Sequence, residues 1–240
     1  MYLQQNFQLM ETQFSMDQIL QRYYLPIDRN LLYSYEELQR TNIDQQFIYA
    51  LLHTFEDERT FSEQEYQQFS LEVIIDYIRK THRYYLTKKL CEIEQSIGIL
   101  LKDYSGSHPL LYILNNFFSA YTADLTSHIR VEEKQLLPYI NCLLKFDKQE
   151  IEIEKYFAAK ENYSLKTFVE SHHDTEQDLS NVRNSILNYQ PPKTNQTPYR
   201  ILITQLHSFE IDLSVHALIE DKVLIPRALQ LEEKLNNLFC

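Results

Sequence analysis

Two histidine and glutamate pairs, His128 with Glu132 and His216 with Glu220, occupy the same point of a repeated stretch. Tyr121 to Pro138, YTADLTSHIRVEEKQLLP, returns 88 residues later as Phe209 to Pro226, FEIDLSVHALIEDKVLIP. In an α-helix a spacing of four turns a side chain only about 40° round the axis, so each pair shows one imidazole and one carboxylate on a single face. That combination is metal-binding chemistry. The aligned pairs Asp124/Asp212, Leu125/Leu213, Lys134/Lys222, Leu136/Leu224 and Pro138/Pro226 carry the match to both sides, as chance recurrence of His-x-x-x-Glu would not.

Other histidines sort by the face of the helix they occupy. His82 lies on a stripe with Leu71, Ile74, Ile75, Ile78, Tyr85 and Leu86 and points inward. Of the adjacent His172 and His173 only one can do so, and the apolar spacing of Phe168, Val169 and Leu179 leaves the choice open. His207 falls about 180° from His216, and His108 nearly opposite His128, so both read as solvated. His53, in ALLHTF, reads as a helix-surface or core residue. Along the chain the order is His, His-x-x-x-Glu, His, His-x-x-x-Glu, with 46 residues from His82 to His128 and 43 from His173 to His216. The pattern is that of two related helical hairpins, each offering two imidazoles and one carboxylate to one level of a helical core, where buried carboxylates need a partner.

Four imidazoles and two bridging carboxylates, with a bridging oxo or hydroxo group, nearly fill two six-coordinate ions and leave two positions open, as a reactive centre requires and a structural one does not. Without thiolate the donor set suits iron, manganese or zinc, and two iron ions are the expected occupants.

The elements that must hold these residues follow from punctuation. Only two glycines occur, and helix formers are abundant between long apolar-periodic stretches, so the fold class is all-α. One helical segment spans about Ser70 to Tyr104, and a second runs from Pro109 to about Lys145. A third begins near Lys148, with a restart capped by Ser164, and ends before Pro191-Pro192; the fourth spans Pro198 to about Asn237. Short connections imply an up-and-down four-helix bundle over 68–240. Residues 1–67 differ in texture, with capping-box patterns at Ser34-x-x-Glu37 and Ser62-x-x-Glu65, and read as a small N-terminal helical domain.

A net charge of −11 without a basic cluster argues against nucleic acid and anionic membranes as partners. MYLQQNFQLMETQFS lacks the build of a signal peptide, and no stretch approaches a membrane span. Three widely spaced cysteines, Cys91, Cys142 and Cys240, suit reduced thiols, so a cytoplasmic location is expected. Tyr85 and Tyr121 share helix faces with His82 and His128 and read as core tyrosines before any redox role.

HIRVEEKQLLP and HALIEDKVLIPRAL resemble the two His-x-x-x-Glu helices of hemerythrin-like proteins, and more closely those of the repair-of-iron-centres group (ScdA/YtfE type). HRYYLTKKL is similar to that group's first ligand helix and VESHHD to its third, over roughly residues 68 to 230. The resemblance implies six metal ligands, His82, His128, Glu132, His173, His216 and Glu220, its His-Asp dipeptide selecting His173. It also implies Asp124 and Asp212 as proton carriers beside the ligands. YYLPIDRNLLYSYEEL looks like a degenerate version of the group's N-terminal domain, with Arg29, Asn30 and Leu31 where adjacent cysteines would stand, and the glycine usual after the third motif is missing. The implied function is a non-heme di-iron protein of nitrosative or oxidative stress that supports repair of damaged iron-sulfur clusters, by iron donation or nitric oxide reduction. Its partners would be a small diatomic ligand, nitric oxide or dioxygen, and iron-sulfur proteins. The alternative is a sensor or binder of those molecules without turnover.

Overall fold

The computed structural model describes residues 17–23, 43–104, 109–171 and 196–239, and among them there are helices and turns but no strand. The chain is all-α. It divides into two compact units, Met1–Tyr84 with Val215–Val223, and Tyr85–Ser214 with Leu224–Cys240.

In the first unit α1 covers 17–22, α2 Gln45–Glu56, α3 Glu63–Gln67 and α4 Leu71–Tyr84. Asp44 starts α2 by accepting the Phe47 N–H at 3.1 Å, which satisfies one of the donors a helix N-terminus leaves over. Phe47 meets Tyr66, Phe69 and Tyr77 edge-on, and the buried hydroxyls of Thr54 and Tyr66 satisfy each other at 2.9 Å. Arg22 is buried too. Its guanidinium lies over the rings of Phe55, Tyr77 and Tyr84 at 5.1, 5.7 and 5.2 Å, where the negative ring faces stabilise the charge. The expected capping box at Ser62 does not form, because the Glu65 N–H that its hydroxyl would cap is taken by the Ser62 carbonyl. The pattern at Ser34 lies outside the described residues.

The second unit holds α5 Leu90–Asp103, α6 Pro109–Val131, α7 Leu137–Asp147, α8 Ile153–Asn162, α9 Leu165–Ser171 and α11 Ile225–Asn236. Most of α10, Thr197–Ile219, also belongs to it. α5 packs on α6, α7 on α8 and α11, and α9 on α11. Phe146 stacks on Tyr156 at 4.5 Å, and the Tyr139 hydroxyl bonds Glu232 of α11. Three long helical stretches each contain one wide π turn, at Tyr85–Lys89, Glu132–Leu136 and Glu220–Leu224.

The long segments lie close to where punctuation puts them, with one shift. The third begins at Ile153, not near Lys148, because α7 closes with a left-handed residue, Gln149 at φ 60. Glu150 N–H bonds the Lys145 carbonyl and Gln149 N–H that of Phe146, the paired bonds of a Schellman ending. Ser164 caps the restart as expected, accepting the Thr167 N–H at 3.2 Å. The stop at Pro191-Pro192 lies outside the described residues. No helix among the described residues is long and apolar enough to cross a membrane.

Candidate metal centre

Within the first unit, three of the expected ligands converge. α4 buries Leu71, Ile74, Ile75 and Ile78 along one stripe, and His82 continues it, so the packing of that stripe turns the imidazole inward. Its ring centroid lies 5.1 Å from that of His216, with the planes at 64°. One helical turn on from His216, the Glu220 carboxylate is buried, with Oε2 3.3 Å from His216 Nε2. One ligand atom from each of His82, His216 and Glu220 lies within 4.8 Å of the others.

Within the second unit, α6 and its π turn set His128 Nε2 2.6 Å from Glu132 Oε1. The Glu132 side chain is 1% exposed and that of His128 21%. The described residues with the burial and chemistry to hold a metal ion are therefore His82, Glu132, His216 and Glu220. His173 and its rival His172 lie outside the described residues. His207 is exposed, as its helix position implies; His53 is exposed too, the helix-surface side of the two readings left open for it; and His108 is outside the described residues.

The two aspartates one turn before the ligand histidines part company. Asp124 is exposed, whereas Asp212 is buried and accepts a 2.7 Å hydrogen bond from the Tyr85 hydroxyl. Tyr85 also meets Phe209 edge-on at 5.1 Å. One turn further back on α10, Ser208 Oγ receives the buried Lys89 Nζ at 3.4 Å. Sequence reasoning missed the Tyr85–Asp212 and Lys89–Ser208 pairs. Their signal was present: Ser208, Asp212, His216 and Glu220 recur every four residues, a polar line on a helix whose other buried positions are apolar.

The donors fit a metal. Nitrogen and carboxylate oxygen bind divalent ions at about 2.1 Å, so two ligand atoms on opposite sides of one ion stand about 4.2 Å apart and adjacent ones about 3 Å. The spacing among His82, His216 and Glu220 has that scale. A cation also offsets the several kcal/mol that withdrawing each carboxylate from water costs.

No protein-family model matches the chain. No curated protein matches it either. The fold and the site define a helical protein with a buried imidazole and carboxylate group that could hold a metal ion.

Proposed function

We propose that this chain is an iron protein of nitrosative or oxidative stress that helps restore damaged iron-sulfur centres. In this reading, His82, His128, Glu132, His173, His216 and Glu220 hold two iron ions within an up-and-down four-helix bundle. The reading rests on the resemblance to the repair-of-iron-centres group and on one observation above the others: His82 and His216, 134 residues apart in the chain, meet with Glu220 in a buried group. Glu132, buried at the equivalent point of the other repeat copy, is a donor this reading adds from the second unit.

Bound iron would supply a redox-active centre for a diatomic molecule such as nitric oxide or dioxygen. The chain's own residues set the conditions. The imidazoles of His82 and His216 donate nitrogen without adding charge, while Glu132 and Glu220 balance the cations. Val215, Ile219 and Leu213 on α10 and Ile129 on α6 are buried close in sequence to the expected ligands. The Tyr85 hydroxyl donates a hydrogen bond to Asp212, one turn from His216, so a buried O–H stands close in sequence to a ligand.

Metal analysis of protein purified without air from iron-supplemented cells tests the centre. About two irons per chain and a near-ultraviolet band after oxidation are expected; one metal or none after reconstitution overturns the dinuclear reading. For repair, the reduced protein must lose iron to a ferrous chelator faster than the oxidised form and reactivate a cluster-depleted enzyme. If it keeps its iron and holds nitric oxide without forming nitrous oxide, sensing replaces repair.

A further inference from the structure

Of the three π turns among the described residues, two begin at the glutamate of His-x-x-x-Glu and end two residues before a proline: Glu132–Leu136 before Pro138, and Glu220–Leu224 before Pro226. Proline inside a helix removes an N–H, and its ring collides with the carbonyl four residues back, here Lys134 or Lys222. A helix that must continue through proline can widen by one residue. In the first copy this is directly visible, since Leu137 N–H reaches five residues back to the Glu132 carbonyl. The carbonyl engaged in that bond belongs to the residue whose side chain is the expected ligand.

Neither proline has a packing reason to be there. Pro138 is exposed and Pro226 half-buried, and proline is the least favourable residue for a helix that runs on as an unbroken α-helix. Alanine at either position would restore an N–H, relieve the collision and permit an ordinary α turn. A wide turn kept at two equivalent places by a proline that is not part of the buried core, each turn starting at a buried carboxylate, serves what that carboxylate does.

We infer that Pro138 and Pro226 are positioning residues, which hold the π turns open and thereby fix, each in its own repeat copy, the backbone that orients Glu132 or Glu220 for metal binding. The third π turn, Tyr85–Lys89, has no proline behind it and lies outside the inference.

The inference rests on the metal-binding reading, and the experiment separates the two. Wild-type protein, Pro138→Ala, Pro226→Ala and the double variant are compared in metal-free form by thermal melting and then titrated with cobalt(II), followed by its visible spectrum, and with iron(II), followed by retained metal. The variants are expected to melt a few degrees higher than the wild type while binding cobalt(II) at least tenfold more weakly, with a changed band shape. A residue of merely structural worth would not move the two readouts in opposite directions. Unchanged cobalt(II) affinity and spectrum in the double variant would overturn the inference, as would melting and affinity falling together. Failure of the wild type itself to bind either metal would instead sink the metal-binding reading. Each single variant guards against misfolding of the double, since one copy then keeps its turn.

Discussion

The two copies of the repeat share a backbone and differ in how their polar groups are supported. In both, the glutamate is buried at the head of a π turn, the leucines aligned at 125 and 213 and at 136 and 224 are buried, and a proline follows. The second copy adds what the first lacks. Asp212 is enclosed and bonded to Tyr85, while Asp124 faces solvent; Ser208 pairs with Lys89, while its counterpart is Ala120. The His216 side chain is 9% exposed against 21% for His128. The two copies thus share the parts that would bind an ion and differ in the groups around them.

That difference gives the largest expected effect. His216→Ala removes the more enclosed imidazole, the one that meets both His82 and Glu220, so metal affinity is expected to fall by roughly a hundredfold or more. His128→Ala opens a position that water can occupy, and a loss of about tenfold is expected. Equilibrium competition with a chelator measures both. Equal losses would show that enclosure of the second copy has no bearing on the ions. A related contrast extends the comparison to the third segment. His173→Ala is expected to release iron and shift the spectrum, and His172→Ala to leave both intact; the reverse would move the ligand by one residue.

The sequence announced the first-order features because they are periodic or repeated. The stripe from Leu71 to Ile78 placed His82 inside, the copied His-x-x-x-Glu placed two imidazole and carboxylate pairs on their faces, and Ser164 marked a restart that its hydroxyl does cap. What escaped has local causes. The end of α7 depends on Gln149 adopting a left-handed conformation usually left to glycine, and nothing in its side chain signals that. Ser62-x-x-Glu65 has the residues of a capping box, but in a five-residue helix a backbone bond claims the amide first. The asymmetry of Asp124 and Asp212 is invisible in the repeat itself, since both read Asp-Leu at the same offset. It depends on Tyr85, 127 residues away in the chain.

The stability of the metal-free protein sharpens the comparison at smaller scale. Tyr85→Phe removes the donor to a buried carboxylate, which typically costs about 1–3 kcal/mol. Thermal or urea unfolding should register this without change in helix content. A loss under about 0.5 kcal/mol would mean that the Tyr85 bond does little to set the second copy apart, and that part of the contrast between the copies would lapse.

The smallest effect is expected at that counterpart. Asp124→Asn changes an exposed charge on α6, away from any hydrogen bond that the fold depends on, and surface changes of this kind stay within about 0.5 kcal/mol. Asp212→Asn keeps an oxygen for the Tyr85 hydroxyl but loses the charge that strengthens the bond, so a loss of about 1 kcal/mol is expected. In a chain of this size that difference amounts to a melting point roughly 2–4 °C lower for Asp212→Asn than for Asp124→Asn. Melting curves of the two variants, both metal-free and in one buffer, decide it. If Asp124→Asn lowers the melting point as far as Asp212→Asn does, the first copy has polar support of its own, and the two halves of the repeat are more alike than their burial shows.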